Sequence, residues 1–400
     1  MKRFLVSAAL LCAALSVWAV TPHRFIVPDI PGYMTLKGDF HNHTAFSDGA
    51  VWPTDRINEA VIDDIDVISI TDHCDTRHRK MVREGYFNAD KCTRNASYEI
   101  AAPAAKKAGI IAIHGAEITR GKRLFPGHFN AHFIQDGEAL ANEMEKEDGK
   151  IKDVVKRDEA AIMNGLKEAR RQGAFLVWNH PNWEAQAANE VTWWPIHEKV
   201  FKAGLMDAIE IVNHAVAYSP EAFHMAIEHN LAVVSGTDCH AAMTSYVDYE
   251  LNEHRAMTLL FVKEKSEAGV REALDAHRTA VCHENYVYGR EEQIRPLLDA
   301  ILQISEVKVS GKKVSCKVVN VSSIPVHLLK APGSEILEMK RLFTINPGEQ
   351  LNLKFVPRLG KEHFEADDFD INYYITNFQT DADTPLLVSH HISVPAKYRK

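Results

Sequence analysis

The sequence predicts an α/β protein: a barrel of parallel strands over residues 20–300, followed by a small all-β, sandwich-like domain over residues 301–400. The 400 residues are 46% hydrophobic and 25% charged, the composition of an ordinary globular protein with enough chain for two or three domains. Up to residue 300, short runs rich in Ile and Val alternate with helix-like segments, which is typical of parallel strands joined by helices. After residue 300 the helix-like segments stop, and Gly and Pro turn residues separate β-type runs.

The first 19 residues predict a secretory signal peptide. Lys2 and Arg3 precede the uncharged apolar run Phe4–Val17, and Ala19 offers a small residue for cleavage. The run is too short for a membrane span, and no later stretch approaches that length. We therefore expect an exported protein, secreted to the periplasm, with no membrane span.

Seven apolar runs in the first part predict buried parallel strands. They are Thr35–Phe40, Asp66–Ile70, Ile110–Ile113, Phe129–Ile134, Ala174–Trp178, Ala208–Val212 and Leu231–Val234. Segments with helical spacing and helix-start residues accompany them, namely Pro53–Asp64, Pro220–Asn230 and Ser266–Arg278. In the second part the predicted strands are Ile304–Val309, Val314–Val321, Val326–Leu329, Gln350–Phe355 and Asp370–Thr376.

Histidine and negative charge are concentrated in the first part. The chain has 21 histidines, 54 acidic and 46 basic residues, for a net charge of −8. Residues 301–400 carry +2 and the signal peptide carries +2, so residues 20–300 carry −12. This balance argues against a nucleic-acid-binding platform, and histidine with surplus carboxylate is what a metal site needs.

The cysteines predict neither a disulfide framework nor a zinc finger. Five remain after the signal peptide, scattered and without a C-x-x-C motif: Cys74, Cys92, Cys239, Cys282 and Cys316. Cys74 and Cys239 alternate with candidate metal ligands, so we expect both to be core thiols.

Two histidines follow the first predicted strand, in the stretch D-F-H-N-H-T-A-F-S-D-G. His41 and His43 are two residues apart and point to the same side of an extended chain. Gly49 permits a turn that returns Asp48 towards them. Such a pair is equally typical of a polar strand surface, so it does not identify a site by itself.

Later strands end in the same way, with His, Asp or Glu just past or at the apolar run. The corresponding stretches are Thr71-Asp72-His73, His114-Gly115-Ala116-Glu117, Asn130-Ala131-His132, Trp178-Asn179-His180-Pro181 and Gly236-Thr237-Asp238-Cys239-His240. The carboxyl ends of parallel barrel strands meet on one face, where active sites are built. Repetition at this position therefore predicts one shared site.

In this order, the motifs D-F-H-N-H-T-A-F-S-D-G, I-T-D-H, H-G-A-E-I-T, N-H-P and G-T-D-C-H resemble those of the PHP (polymerase and histidinol phosphatase) family. The resemblance covers residues 36–290. It implies a distorted (β/α)7, TIM-like barrel, a site for two or three divalent ions, and hydrolysis of phosphate esters. The seven apolar runs agree with the implied strand number.

The resemblance also implies nine metal ligands. His41, His43 and Asp238 would hold one ion, and Asp48 and His73 a second, with Glu117 bridging the two. The third ion and its neighbours would take His132, His180 and His240, with His128 as an alternative to His132. Asp72 would orient a ligand. This mixture of imidazole and carboxylate suits Mn, Zn or Fe.

The expected chemistry is attack by a metal-activated water, held by Glu117, Asp48 and Asp238 through the ions, on a phosphate ester. His214, just after the sixth strand, stands where an acid for the leaving group is expected. No protein nucleophile motif is present.

Three residues are candidates for substrate binding. Arg77 and Arg120 lie in loops after strand ends, where they would hold a phosphate or simply face solvent. Trp183, after His180, would form either a wall for an organic leaving group or part of a lid core.

The predicted function is hydrolysis of small organic phosphate esters, as a phosphodiesterase or phosphomonoesterase. The expected partner is therefore a small phosphorylated substrate. The alternatives are a metal-dependent amidohydrolase, whose barrel also begins with H-x-H, and a non-catalytic exported protein that binds metal or glycan.

Overall fold

The computed structural model describes residues 23–75, 93–120, 127–146, 149–183, 190–310, 313–358, 364 and 367–398. The predicted signal peptide lies outside these residues. The described α-helices are α1 (Pro53–Ile62), α2 (Ala96–Ala108), α3 (Gly137–Glu145), α4 (Val154–Arg171), α5 (Pro195–Lys202), α6 (Pro220–Glu228), α7 (Glu267–Asp275) and α8 (Glu291–Ile301). None of them is both long enough and apolar enough to cross a membrane.

Local sequence explains where several helices begin and end. Ser219 caps α6 by accepting the N–H of Ala222, and Pro220 occupies its first turn. Ser266 caps α7 in the same way through the N–H of Gly269. Helix α2 ends at Gly109, whose φ of +75° is unfavourable for residues with a Cβ.

Within the described residues, eleven strands precede α8. They are β1 (Met34–Asp39), β2 (Val67–Ile70), β3 (Ile111–Ile118), β4 (Phe129–His132), β5 (Phe175–Trp178), β6 (Ala208–Asn213), β7 (Ala217–Tyr218), β8 (Ala232–Gly236), β9 (Met257–Val262), β10 (Thr279–His283) and β11 (Tyr286–Gly289). The protein is thus a mixed α/β protein with a large, parallel-rich sheet.

The seven predicted strands of the first part are β1 to β6 and β8. Strands β1, β2 and β3 are parallel neighbours, as are β5, β6 and β8. Strand β4 corrects the prediction, because it is antiparallel to both β3 and β5. Only residues 119–128 join β3 to β4, and a parallel crossover needs about a dozen residues or more, usually with a helix.

The carboxyl ends of β1 and β8 lie against each other. Beyond β1, the carbonyl of His41 accepts the N–H of Asp238 at 2.8 Å, and the N–H of His43 donates to the carbonyl of Cys239 at 3.3 Å. On the other side of β1, His73 and Glu117 form a bridge that continues the pairing of β2 with β3. The polar residues after these strands are therefore brought to one end of the sheet.

The sequence analysis missed β7, β9, β10 and β11. Strand β9 pairs antiparallel with β1, and β10 pairs antiparallel with both β9 and β11. Glu284 and Asn285, which join β10 to β11, have positive φ values of 47° and 67°, as in the tight turns favoured by hairpins.

No α-helix occurs in the described residues after Ile301. The strands there are β12 (Leu302–Ile304), β13 (Lys308–Ser310), β14 (Lys313–Asn320), β15 (Val326–Lys330), β16 (Leu337–Glu338), β17 (Leu342–Ile345), β18 (Gln350–Pro357), β19 (Asp368–Asp381) and β20 (Thr384–Ser393). These strands form two groups. One group extends the sheet of the first part, because its strand β19 pairs in parallel with β11. One hydrophobic cluster includes Phe261, Leu297, Val314 and Phe378 and so crosses residue 300. A domain boundary at residue 300 stays a prediction.

Candidate metal centre

Four groups of His, Asp and Glu side chains converge where the strands end. Within each group, the ligand atoms lie within 4.8 Å of one another. The groups are His41, His180 and Asp238; His41, His43 and Glu117; His43, Asp48, His73 and His240; and Glu117, His128 and His180. Shared members show that the four groups are parts of one site.

A first cluster of donor atoms lies around the Nε2 atom of His41. This atom lies 3.3 Å from Glu117 Oε1, 3.3 Å from Asp238 Oδ1 and 3.2 Å from His43 Nε2. His43 Nε2 is 3.1 Å from Asp238 Oδ1. Four donors at about 2.0–2.1 Å from a tetrahedral ion are about 3.3 Å apart. The spacing and the chemistry of these donors therefore fit a divalent cation.

A second cluster of donor atoms lies around the carboxylate of Asp48. Its Oδ1 lies 3.3 Å from His73 Nε2 and 3.3 Å from His240 Nε2. A tight turn brings Asp48 back, with the N–H of Gly49 donating to the carbonyl of Thr44 at 3.0 Å. A Cβ on Gly49 would lie 2.8 Å from the carbonyl carbon of His43, so the turn has no room for a side chain there.

Asp72 holds the same turn from below. Its Oδ1 accepts hydrogen bonds from the N–H of Thr44 at 2.7 Å and the hydroxyl of Ser47 at 2.5 Å. Ser47 Oγ also lies 3.3 Å from His43 Nδ1. Asp72 therefore reaches His43 through Ser47, an arrangement that directs the other ring nitrogen towards the cation site.

Glu117 lies beside five histidines of the site. Its Oε1 lies 3.1 Å from His128 Nδ1 and 3.4 Å from His180 Nε2, and its Oε2 lies 2.6 Å from His73 Nδ1. Asn179 Nδ2 donates to Oε1 at 3.1 Å. The carboxylate is only 1% exposed, which is tolerable because it has so many polar partners.

The electrostatics keep the carboxylates ionised. Burial alone would raise the pKa of Glu117, but the nearby histidines, His73 above all, hold that pKa well below its usual value. Burial would also raise the pKa of Asp238, but the nearby His41 above all holds that pKa well below its usual value. For His43, burial and then the neighbouring His73 lower the pKa to about 4. At neutral pH the site therefore offers carboxylates together with a neutral imidazole at His43.

This chain is similar to several proteins of known structure. A two-domain protein from Bacteroides vulgatus that contains a predicted PHP-like metal-dependent phosphoesterase is 34% identical, and the match covers 93% of this chain and 99% of that one, with a TM-score of 0.81. This chain belongs to the PHP-like phosphoesterase family. No family model and no curated protein matches it.

Two more distant structures are also similar to this PHP-like phosphoesterase. A protein from Bifidobacterium adolescentis, assigned as a metal-dependent phosphoesterase, is 15% identical over 59% of this chain and 95% of that one, with a TM-score of 0.40. A lesion-specific endonuclease from Pyrococcus furiosus is 14% identical over 64% of this chain and 59% of that one, with a TM-score of 0.37.

Eight of the nine predicted ligands of the PHP-like site fall within the four groups, and His132 does not. His128, the alternative to His132 in the sequence analysis, does belong to one of these groups. Because β4 is antiparallel, its amino end faces the site, so His128, just before the strand, meets Glu117. His132 lies deeper, with Nδ1 2.8 Å from Ser69 Oγ and its ring against Phe40.

The ring nitrogens of His214, the predicted leaving-group acid, both lie beside backbone groups. Its Nε2 lies 3.0 Å from the carbonyl of Tyr246, and its Nδ1 is the acceptor for the N–H of Ala256 at 3.2 Å. The backbone thus engages both ring nitrogens.

The predicted substrate residues differ in their surroundings. Arg77 lies outside the described residues. Arg120 Nε lies 3.7 Å from Asp158 Oδ1, so a carboxylate of α4 already balances its charge. Trp183 borders two histidines of the group formed with Glu117, and its ring lies 5.2 Å from that of His128 and 5.4 Å from that of His180.

The thiols that alternate with ligands are buried and point into packing. Cys74 Sγ lies 3.5 Å from Met144 Sδ, and Cys239 Sγ lies 3.2 Å from Thr237 Oγ1. Burial raises the pKa of Cys74 to about 12 and that of Cys239 to about 11. Neither thiol belongs to a ligand group.

Apart from Asp72, sequence reasoning missed the supports of the site. Glu210 Oε1 lies 3.1 Å from His41 Nδ1, although a charged residue inside an apolar strand is itself a sign of a polar partner. Asp39 binds Thr237 through both carboxylate oxygens and pairs with the buried Arg255. These contacts join residues about 200 positions apart, which no local pattern shows.

Proposed function

We propose that this PHP-like protein is an exported, periplasmic hydrolase of small organic phosphate esters, acting on diesters or monoesters with two or three divalent ions of Mn, Zn or Fe. The convergence of eight ligand side chains and His128 at one sheet end carries the proposal. We also infer that β1 to β6 and β8 are the seven strands of the family's distorted barrel.

The ligand assignment follows the distances. We assign His41, His43 and Asp238 to one ion, and Asp48, His73 and His240 to a second. Glu117, His128 and His180 are assigned to a third position, with Glu117 shared. Bound divalent ions supply Lewis-acid polarisation of phosphoryl oxygens and lower the pKa of bound water.

The chain's own residues then have distinct tasks. Glu117 and Asp238 are ionised and buried, so they provide fixed negative charge that holds cations. Asp48 and His240 form the solvent-facing side, with side chains 37% and 38% exposed, and substrate would enter there. Trp183 would limit the space for the organic part of the ester beside His128.

A substrate and metal screen tests the proposal. Purified mature protein should contain divalent metal by elemental analysis and should hydrolyse p-nitrophenyl phosphate esters, with the ratio of diester to monoester rates defining the subclass. N-acyl substrates are the comparison. Turnover of amides alone would replace the proposal with an amidohydrolase, and metal content with no turnover of either would favour a binding protein.

A further inference from the structure

Glu210 is a buried carboxylate within an otherwise apolar stretch of β6. All six residues of β6 are buried, and Glu210 is 2% exposed. It belongs to none of the ligand groups. A carboxylate in such surroundings destabilises the fold unless its oxygens have good partners, so its contacts indicate what the residue does.

Both oxygens of Glu210 face the candidate metal centre. Oε1 lies 3.1 Å from His41 Nδ1. Oε2 accepts the N–H of His180 at 2.7 Å and a hydrogen bond from Asn213 Nδ2 at 3.1 Å. Asn213 Nδ2 also lies 3.1 Å from Asp238 Oδ2. One strand therefore contacts all three members of one ligand group, which are His41, His180 and Asp238.

Gly236, at the end of β8, leaves the space in which this contact forms. A Cβ there would lie 2.2 Å from His41 Cβ and 2.7 Å from Glu210 Oε1. The pairing of β6 with β8 also changes register between Glu210 and Val212. Both features concern the strand pair that brings Glu210 to His41.

A carboxylate on Nδ1 fixes which nitrogen of an imidazole binds metal. With the Nδ1 proton directed at Glu210, the lone pair of His41 Nε2 points to the side where Asp238 Oδ1 and Glu117 Oε1 lie, each 3.3 Å away. Partners of this kind typically change metal affinity by about 10–100-fold when removed.

We propose that Glu210 is a positioning residue for the metal centre: it fixes the ring of His41 and the backbone of His180, and through Asn213 it steadies Asp238, so that the three present their donors to one cation. The inference rests on the proposed metal-dependent function only in requiring a divalent cation at this group.

The test is Glu210→Gln, which keeps the size of the side chain but has only one acceptor oxygen. Its NH₂ group must then face either the His41 ring or the His180 N–H. We expect Zn²⁺ or Mn²⁺ affinity, measured by competition with a chromophoric chelator, to fall about 10–100-fold. Thermal unfolding in excess chelator should stay close to wild type if the role is positioning.

Two further variants make the result decisive. Gly236→Ala presses on the same contact from β8 and should weaken cation binding in the same direction. Glu168→Gln removes another buried carboxylate, which pairs with Arg171 on α4 away from the ligand groups, and should leave affinity unchanged. If Glu210→Gln fails to fold, Asn213→Ala decides the question, because it removes the link from Glu210 Oε2 to Asp238 without placing an atom against His41.

The outcomes separate this inference from the proposed function. Wild-type cation affinity in both Glu210→Gln and Gly236→Ala would overturn the positioning role while leaving phosphoesterase activity in place. If the wild-type protein binds cations but cleaves no phosphate ester, the proposed function fails, and the affinity series still decides the role of Glu210. A wild-type protein that binds no divalent cation overturns both.

Discussion

Replacing Arg255 with Met should destabilise the fold through a network directly behind the candidate metal centre. Arg255 is 1% exposed and donates to Asp63 Oδ2 at 2.6 Å and to Asp39 Oδ2 at 3.0 Å. Asp39 in turn accepts the N–H and hydroxyl of Thr237 at 3.0 and 2.8 Å. The guanidinium therefore balances two buried carboxylates, one of which ties the end of β1 to the chain that follows β8.

The expected loss follows from what the substitution leaves behind. Removing one partner of a buried ion pair costs about 3–5 kcal/mol, because the remaining charge stays buried without compensation. At about 2.1 cal/mol/K per residue, about 380 residues give an unfolding entropy of about 0.8 kcal/mol/K. A loss of about 4 kcal/mol then lowers Tm by about 5 °C.

Thermal and urea unfolding in excess chelator measure this loss without a contribution from bound ions. The matched control is Lys263→Met, which removes a pair between exposed side chains, Lys263 and Glu272, and should cost less than about 1 kcal/mol. Adding Asp63→Asn to Arg255→Met removes one of the stranded charges and should recover at least about 1 kcal/mol. An Arg255→Met loss no larger than that of Lys263→Met would refute the reasoning.

Three further outcomes are expected. His41→Ala and Glu117→Ala should each abolish phosphoester turnover and lower bound metal by elemental analysis; wild-type rates in either would show that the ligand assignment is wrong. His128→Ala should lower metal content and turnover more than His132→Ala does, because only His128 lies beside Glu117, and the reverse order would return His132 to the ligand set. Burial lowers the pKa of His114 to about 4 from 6.5. Below pH 6.5 the unfolded chain therefore binds a proton that the folded chain does not, so stability that is fully present above pH 6.5 is lost as the pH falls towards 4. Compared with His114→Gln in urea, wild type should therefore lose up to about 3 kcal/mol more between pH 7.5 and pH 4, and parallel pH profiles would contradict this.

The ligands could be predicted because each follows an apolar run in the sequence. His41, His73 and Asp238 sit just past strands whose burial and chain direction set where they point. The predicted run Thr35–Phe40 differs from β1 by one residue at each end. The strand end that precedes His41 is therefore predicted to within one residue. Such ends need only local pattern and the parallel arrangement.

Chain direction is what local pattern does not encode at β4. His128 and His132 flank the same four-residue strand, and a parallel strand would place His132 at the site. The predicted runs Ile110–Ile113 and Phe129–Ile134 leave residues 114–128 between them, which is enough for a crossover, but β3 continues to Ile118 and leaves only residues 119–128. The exchange of His132 for His128 that we propose follows from this shorter connection.

The supports other than Asp72 could not be predicted, for a different reason. Glu210 lies 169 residues from His41, and Arg255 lies 216 from Asp39. Their pairing depends on which strands become neighbours, and the polar spacing around each residue carries no trace of it. In the second part the same limit applies to β19, which pairs with β11 through residues as distant in sequence as Val287 and Phe378.

At the candidate metal centre, the buried acidic residues of the first part attract both protons and divalent cations, which compete for the same site. Asp238 and Glu210 oppose the effect of burial and raise the pKa of His41 well above 6.5, so a proton on this ring and a divalent cation are stabilised by the same carboxylates. A ligand must give up its proton to bind metal, so cation binding releases protons and strengthens as the pH rises. The surplus of acid that the composition records therefore has a specific task where it is buried: it makes the strand-end face favourable for positive charge in either form, and Glu210, which is not a ligand, contributes to this through His41.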